Sequence, residues 1–433
     1  MANPDIAYLL SLEAVRERAK TVLRAAEAGS LNNFDYHKNR MPEAADFVVG
    51  IIQRDFGPDR FNEIPPHGRW QHFDVGGVAR IVPLLEEWTA QEGIDNLEAT
   101  RRLIDLFVVS VLLDAGAGDV WTFNEPETGN VYNRSEGIAV ASLYMVLSGA
   151  LNSSGTSEPT VDASGLIEFT DESFIKFFQV TEENPIIGVS SRVGLLNNVG
   201  RSLKQLSEVV GPTGRPGNIV DYLVAASEDN ILDYKLMWSV LQRILIPSWP
   251  ADRPIIQGQP VGDAWPLQVL SQAITTGSSI TTSTAGSIQP FHKLTQWLGY
   301  SIIVPFVRIL GMKVTNEELG TGLPEYRNGG LFIDLGILSL KPEIEQQHTA
   351  AGEDLPRLPP TADAIVEWRA MTVALLDELF VLVSSKFAEQ GTKLSMAQML
   401  EAGTWKGGRE LAAKLRPETK SSPIILDGDG TLF

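Results

Sequence analysis

Apolar residues recur at the spacing of an α-helix through most of this 433-residue chain, and this pattern constrains the fold more than any other feature. In residues 9–28, for example, Leu12 and Val15 fall on one face, and basic residues lie between the apolar positions. Residues 96–114 become apolar on all sides, which predicts a buried helix. We predict a mainly α protein, a single large multi-helix domain with few short strands.

Three segments of residues 1–433 are predicted to stand apart from the body of this domain. Residues 1–70 form an N-terminal helical extension. Residues 246–289 are rich in Pro, Gly, Ser and Thr and show no clear periodicity, which favours a long loop or lid. Residues 416–433 form a C-terminal tail that docks on the body through its apolar residues.

The C-terminal tail contains two aspartates, Asp427 and Asp429, in a motif similar to the opening motif of the haloacid dehalogenase phosphatases. That fold needs the rest of its sheet downstream of the motif, and this chain ends at Phe433. We therefore reject the phosphatase interpretation.

The formal charge of −19, from 35 basic and 54 acidic residues, limits the classes of ligand. It argues against nucleic acid and anionic membranes, because affinity for phosphates depends largely on cations. No apolar run reaches the ~18 residues that span a bilayer, and the first residues lack a secretory signal. The absence of cysteine fits a reducing compartment. We expect a cytoplasmic protein with a small-molecule ligand and no cofactor, and the oligomeric state is open.

The densest polar cluster is Glu325, Tyr326, Arg327 and Asn328, which places a carboxylate, a phenol, a guanidinium and an amide side by side. Pro324 disfavours helix before the cluster, and glycines on both sides let the backbone approach a ligand. The apolar stretch that follows would anchor the cluster in the core. We predict a site on a constrained turn. The alternative is a surface turn in which Glu325 and Arg327 form an exposed ion pair.

A helix over residues 291–311 would carry one polar stripe on an otherwise apolar surface. His292, Gln296 and Tyr300 fall on one face, and Lys293 lies beside Gln296. Such a stripe must face water, a partner or a ligand. We predict that these side chains contribute to the pocket.

Further candidates lie before residue 140. Asp114 ends the buried helix, and Trp121 follows it. Arg134 and Glu136 lead into an apolar helix and are candidates for the site. The alternative for Glu136 is structural: Ser135 caps the helix, and the Glu136 carboxylate lies in the first turn against the positive end of the helix dipole.

His72 and Asp74 form a polar pair that would share a strand face or flank one turn. As metal ligands they are too few, since a site needs three or four. A structural role for His72 is the alternative that we favour.

Six motifs resemble those of a known family: Leu112-Leu-Asp-Ala-Gly-Ala-Gly118, Arg134-Ser-Glu-Gly137, Pro290-Phe-His-Lys-Leu-Thr-Gln-Trp297, Leu323-Pro-Glu-Tyr-Arg-Asn-Gly-Gly-Leu-Phe332, Val366-Glu-Trp-Arg-Ala-Met-Thr-Val-Ala-Leu-Leu-Asp377 and Gly403-Thr-Trp-Lys-Gly-Gly-Arg409. The chain resembles the fungal uracil catabolism protein four family, which also occurs in bacteria and was long a domain of unknown function. The resemblance runs from about His72 to the C-terminus. It implies a cytosolic role in a pyrimidine breakdown route separate from the reductive one, in which the family is associated with ribosylurea.

Three segments, beginning at Arg192, His292 and Glu325, are similar in order and type to the queuosine salvage glycosylases. This resemblance implies an all-α fold related to that of DNA glycosylases and cleavage of a ribosyl bond in a nucleoside phosphate. In that family an Asp thought to act at the anomeric carbon matches Glu325, and a phosphate-binding residue matches Lys293. This chain differs by the longer arm of its Glu.

The resemblances imply an N-glycosidase-type hydrolase that cleaves the N-ribosyl bond of ribosylurea or its 5′-phosphate. Cleavage builds positive charge on the ribose ring, which a carboxylate stabilises or captures. Glu325 would take this role or act as the base for the attacking water. A second carboxyl must protonate the leaving nitrogen, because urea anion is a poor leaving group. The candidates for this acid are Glu136, Asp114 and Asp334.

The remaining candidates are assigned to substrate binding. Lys293 with Arg327 or Arg134 would hold a 5′-phosphate. The residues assigned to the pocket are His72, Trp121, His292, Gln296, Tyr300, Tyr326 and Asn328.

Two hypotheses of other classes stay open. A non-catalytic binding protein for a pathway intermediate would need the basic and aromatic residues but no paired carboxyls. A metal-dependent amidohydrolase acting on the urea group would use His72, Asp74 and His292. The chain has only five histidines, which makes this last hypothesis the weakest.

Overall fold

The computed structural model describes residues 3–114, 116–118, 120–249, 253–276 and 284–427. Helix accounts for 59% of the chain, and the strands are short and form no closed sheet in these residues. The predicted mainly α class is therefore confirmed. Asp429 lies outside the described residues.

Helices follow one another along the described chain and are joined by loops, short strands and single helical turns. Their starts follow local chemistry: Ser11, Asp95 and Thr170 each cap the helix that follows by accepting a backbone N–H with a side-chain oxygen. A π-helical turn, Leu400–Thr404, precedes the last helix. In order, the helices are α1 (Pro4–Leu9), α2 (Leu12–Glu27), α3 (Met41–Phe56), α4 (Arg69–Phe73), α5 (Ile81–Thr89), α6 (Asn96–Leu112), α7 (Arg134–Leu147), α8 (Ala163–Glu168), α9 (Asp171–Phe177), α10 (Val189–Lys204), α11 (Ser207–Val210), α12 (Ile219–Ala225), α13 (Tyr234–Leu245), α14 (Gln268–Thr276), α15 (Lys293–Arg308), α16 (Tyr326–Asp334), α17 (Pro342–His348), α18 (Asp363–Ala388), α19 (Met396–Met399) and α20 (Trp405–Leu415).

The strands pair two by two, and several pairs join segments that are distant in sequence. The antiparallel pairs are β1 (Phe34–Tyr36) with β10 (Leu338–Leu340), β2 (Thr122–Asn124) with β3 (Val131–Asn133), β5 (Ile255–Ile256) with β6 (Gln259–Pro260), and β7 (Ala264–Pro266) with β8 (Ile288–Pro290). The parallel pairs are β4 (Ile231–Asp233) with β9 (Lys313–Thr315), and β11 (Arg357–Leu358) with β12 (Ile425–Leu426).

The chain divides into two compact units. The first unit comprises Met1–His67, Arg253–Gln296 and Glu318–Gly428, and the second contains Gly68–Asp252 and Trp297–Glu317. Each unit is thus assembled from segments that are far apart in sequence, so no single linker marks a boundary between them.

Helix α18 forms the centre of the first unit, where it packs against α2, α3 and α16. Residues 364–376 of this helix are all buried. They include charged side chains: the Glu367 carboxylate accepts hydrogen bonds from the backbone N–H groups of residues 32–34. These bonds fix the start of β1 on α18.

Helix α6 has the equivalent place in the second unit, where it packs against α7 and α12. Residues 102–112 of α6 are all buried. The helix predicted to be buried from its apolar character is therefore confirmed.

Two of the segments predicted to stand apart contribute to the packing of the first unit. The described part of residues 246–289 contains β5 to β7, α14 and the start of β8, and Val261 and Leu267 in it are buried. The lid role stays a prediction. In the tail, β12 pairs with β11, and Ile424 is buried. Among the described residues, no helix has the length and apolar character needed to cross a bilayer.

Two glycines of α10 provide a matched test of helix packing. A methyl group on Gly200 would lie 2.7 Å from the carbonyl oxygen of Ala163 in α8, whereas one on Gly194 would meet nothing within 4 Å. We expect Gly200→Ala to lower the free energy of unfolding by about 1–3 kcal/mol because of overpacking. Gly194→Ala should raise it by about 0.5–1 kcal/mol, because alanine favours helix. Urea unfolding measures both, and equal effects would contradict this packing.

Candidate active site

Glu325 is the N-cap of α16, and its side chain is buried, with 8% of its surface exposed. One carboxylate oxygen accepts a hydrogen bond from the Arg327 N–H at 2.7 Å, and the other accepts from the Asn328 N–H at 2.5 Å. Pro324 and the extended backbone of Glu325 end the preceding loop, so the polar cluster opens a helix instead of forming a turn. The alternative of an exposed Glu325–Arg327 ion pair is wrong, because both side chains are buried.

Burial raises the pKa of the Glu325 carboxyl above its ordinary value. The two backbone N–H groups and the positive charges of Lys293 and Arg327 lower it, but they do not offset the effect of burial. A carboxyl with a raised pKa is a stronger base than an exposed one.

Lys293 is positioned by a buried carboxylate that the sequence did not reveal. Its backbone N–H donates to Asp263 Oδ2 at 3.0 Å, and the two Asp263 oxygens accept from the Arg369 guanidinium at 2.8 and 2.7 Å. The indole of Trp265 donates to the same carboxylate at 2.8 Å. Arg369 and these contacts hold the pKa of Asp263 well below its usual range.

Two buried amide side chains, those of Gln296 and Asn328, donate hydrogen bonds to the segment that precedes Glu325. Gln296 Nε2 donates to Thr321 Oγ1 at 3.3 Å, and Asn328 Nδ2 donates to the Leu323 carbonyl at 3.2 Å. Both amides are fully buried. Within the described residues, neither Gln296 Oε1 nor Asn328 Oδ1 has a hydrogen-bond partner. Both amides therefore contact residues 321–323, and the contribution of Gln296 and Asn328 to a site stays a prediction.

The indole of Trp368 lies against the same helix start. A methyl group on Gly329, next to Asn328, would lie 2.8 Å from Trp368 Nε1. Trp368 is 1% exposed, and its Nε1 also has no hydrogen-bond partner among the described residues. Sequence reasoning missed Trp368, since a tryptophan at helical spacing is usually a core residue.

His292 does not lie on the predicted polar stripe of α15. It precedes the helix, has a φ of 46°, and its Nε2 bonds the Leu9 carbonyl at 2.8 Å. Burial lowers the pKa of its imidazole, which favours the neutral form. The placement of His292 on the helix face with Gln296 is therefore wrong, because the chain turns sharply before Lys293.

The other first-unit candidates have clear partners. The Arg327 guanidinium lies over the Tyr326 ring at 4.8 Å and donates to the Lys420 carbonyl at 2.9 Å, which holds the tail against α16. Both oxygens of Asp334 accept from Arg416, at 2.9 and 2.7 Å. Asp334 thus ties the end of α16 to the end of α20.

In the second unit, Asp114, His72 and Glu136 share a partner that the sequence did not reveal, the fully buried Arg69. Arg69 Nη1 lies 2.9 Å from Asp114 Oδ2 and donates to His72 Nδ1 at 3.0 Å. Burial lowers the pKa of Arg69, and the negative charges of Asp114 and Glu136 oppose this effect. The Ser110 hydroxyl accepts another of its N–H groups at 2.8 Å.

Trp121, Tyr300 and Arg134 also belong to the second unit. Trp121 is fully buried and donates to the Phe178 carbonyl at 2.8 Å, and Tyr300 is buried as well. Arg134 begins α7 with a φ of 53°. The N-cap of α7 is Asn133, so the prediction of Ser135 as the cap is wrong, while Glu136 does lie in the first turn.

The proposed metal ligands do not form a cluster in the described part of the chain. There, no group of three or more His, Cys, Asp or Glu side chains could hold a metal ion. His72 contacts Arg69, as above, and Asp74 Oδ1 accepts from the backbone N–H groups of Arg80 and Ile81. Asp74 therefore organises the start of α5.

The chain is similar to known proteins over its whole length. A family model described as "Protein of unknown function (DUF1688)" matches residues 8–433. Protein urg3 of Schizosaccharomyces pombe (strain 972 / ATCC 24843) is 46% identical over 438 residues, which is 100% of each chain. Uracil catabolism protein 4 of Lachancea kluyveri is 43% identical over 447 residues, which is 100% of this chain and 99% of the relative.

Removal of one partner of the buried Asp263–Arg369 pair should destabilise the protein strongly. We expect Asp263→Ala to cost about 3–5 kcal/mol, because it leaves Arg369 as a buried charge without its counter-ion. Asp427→Ala is the control: its partner Arg357 is 53% exposed, so the loss should stay below about 1 kcal/mol. Urea unfolding at neutral pH measures both.

The same ion pair should make the free energy of unfolding depend on pH. Because the pKa of Asp263 is depressed in the folded protein, its contribution is complete above the unfolded-state pKa of about 4 and is lost as the pH falls below it. The difference in stability between wild type and Asp263→Ala should therefore shrink in acid. A difference that is constant from pH 7 to pH 3 would contradict this account.

Proposed function

We propose a function for this chain, which belongs to the DUF1688 family of proteins of unknown function. It is an enzyme of uracil catabolism that hydrolyses the N-ribosyl bond of ribosylurea or its 5′-phosphate. The relative named uracil catabolism protein 4 supports the pathway. The observation that carries the chemistry is the buried Glu325 carboxyl, with its raised pKa and the Lys293 cation near it.

In the proposed reaction, water attacks the anomeric carbon and Glu325 accepts its proton. The electron pair of the C–N bond passes to the leaving nitrogen, which takes up a proton, so that the products are urea and ribose or ribose 5-phosphate. The ring acquires positive charge as the bond breaks, and the Glu325 carboxylate also stabilises this charge. The raised pKa makes Glu325 a better base than an ordinary carboxylate.

The other predicted residues take supporting parts in this proposal. Lys293 and Arg327 are the cations that act on the Glu325 carboxyl, and they would also attract a 5′-phosphate. Asp334 is left out as the acid, because Arg416 engages both of its oxygens. Asp114 and Glu136 belong to the second unit, so the assignment of either one as the acid stays a prediction from the sequence.

A non-catalytic binding protein is the second candidate. It is favoured by one observation: two of the three carboxyls predicted as the acid, Asp114 and Asp334, are paired with the arginines Arg69 and Arg416. Such a protein would bind ribosylurea without releasing urea. Incubation of the pure protein with ribosylurea, followed by an assay of free urea, separates the two functions.

Replacement of Glu325 tests the proposed role directly. We expect Glu325→Gln to lower kcat at least ~10²-fold, in the range lost with a general base, because the amide cannot accept the proton of water. The melting temperature should fall only modestly, since the amide oxygen still accepts one of the two backbone N–H groups at the N-cap. Glu343→Gln, at an exposed position in the first turn of α17, should have wild-type activity. A folded and fully active Glu325→Gln protein would exclude this mechanism.

Lys293 should set the pH dependence of the reaction. Its charge lowers the pKa of Glu325, so Lys293→Met should raise that pKa and move the acid limb of the kcat profile to higher pH. Lys393→Met, at an exposed position, should leave the profile unchanged. An acid limb that does not move in Lys293→Met would show that Glu325 is not the group that titrates.

A further inference from the structure

We propose that the first unit contains a subsite for a ureido group, formed by the Gln296 and Asn328 amides and the Trp368 indole. This inference rests on the proposed function and specifies which part of the substrate these residues contact. It starts from three polar atoms that are at least nine-tenths buried and have no hydrogen-bond partner among the described residues: Gln296 Oε1, Asn328 Oδ1 and Trp368 Nε1.

The two amide oxygens are held in place by bonds from the other ends of the same groups. Asn328 Nδ2 donates to the Leu323 carbonyl, which can only accept, so the amide orientation is fixed and Oδ1 points away from that carbonyl. Gln296 Nε2 donates to Thr321 Oγ1 on the same short segment. Both amides are therefore anchored to residues 321–323, and in this arrangement neither carbonyl oxygen has a donor among the described residues.

These anchors lie next to the reactive carboxyl. The Glu325 N–H donates to the same Leu323 carbonyl at 2.9 Å, and the Glu325 carboxylate accepts from the Asn328 N–H. Of the three atoms without a partner, Trp368 Nε1 is the hydrogen-bond donor, and it lies against Gly329 at the start of α16. Side chains from α15, α16 and α18 thus bring two acceptors and one donor to the neighbourhood of Glu325.

The chemistry of these atoms selects the class of ligand. A buried acceptor without a partner is unfavourable, so the site fits a ligand that supplies N–H groups. A ureido group has an NH, an NH₂ and one carbonyl oxygen, which match two amide oxygens and one indole N–H. A phosphate offers mainly acceptors, which the two amide oxygens would disfavour. The subsite therefore binds the leaving-group side of the substrate, and a phosphate would have to bind elsewhere.

Two stable analogues test this subsite without turnover. In both, a methylene group replaces the ribose ring oxygen, so that the ring cannot stabilise a cation; one carries a urea group and the other an acetamide group of the same shape. Acetamide lacks the terminal NH₂ of urea. We expect the wild-type protein to bind the urea analogue at least ~10-fold more tightly, as sites built to hydrogen-bond a group discriminate against its absence. Isothermal titration calorimetry measures both affinities.

Variants of the two amides then show which side chains cause the preference for the urea analogue. Gln296→Met and Asn328→Leu should reduce the preference to within about twofold, because each removes an acceptor. Gln289→Met is the matched control: Gln289 is also a fully buried amide of the first unit, but its Nε2 donates to the Pro290 carbonyl, away from the Glu325 segment. It should keep the preference of the wild type. Melting temperatures verify that each variant is folded.

The outcomes separate this inference from the proposed function. Equal affinity of the wild type for the two analogues, or binding of neither, overturns the subsite. A preference for the urea analogue that persists in both Gln296→Met and Asn328→Leu also overturns the subsite. A wild-type protein that prefers the urea analogue but releases no urea from ribosylurea keeps the subsite and overturns the proposed hydrolysis.

Discussion

The ion pair of Asp263 and Arg369 is the interaction on which the candidate site depends. It joins the residue before β7 to α18 across 106 residues of sequence, with both side chains 2% exposed. The Asp263 backbone carbonyl accepts from the N–H groups of Phe291 and His292, and its carboxylate accepts from that of Lys293. A buried pair of this kind has little net effect on stability compared with apolar residues. Its value here is positional, because it fixes the start of α15 and hence Lys293.

Glu325 combines a structural and a chemical role. As an N-cap it satisfies two backbone N–H groups of α16, an interaction that favours the ionised carboxylate. Burial opposes ionisation and prevails, so the residue that starts the helix also has an elevated pKa. A carboxyl held at a helix start moves less than one on a loop, which suits a group that must meet one atom of a substrate. The cap therefore supplies the positioning, and the burial supplies the basicity.

The sequence predicts the parts of this structure that depend on neighbouring residues. The apolar character of residues 96–114 identifies α6 as buried, and the density of polar residue types at 325–328 identifies the Glu325 segment as a candidate site, although it predicts a turn where α16 begins. It does not show that Asp263 meets Arg369, because a pairing over such a separation depends on tertiary packing. The turn at His292 is missed for a related reason: its positive φ is maintained by contacts with residues far away in sequence. For the same reason, the sequence pointed to the Glu325 segment but not to Trp368.

Helices that pack together in the first unit are synthesised at very different times. Its helices α1 to α3 leave the ribosome first, but α18, against which α2 and α3 pack, is made more than 300 residues later. During that interval the faces of α2 and α3 that pack against α18 have no native partner. Contacts between such distant segments slow folding, and exposed apolar surface promotes aggregation. Synthesis of this chain should therefore depend on chaperones that shield an N-terminal segment until its last third has emerged.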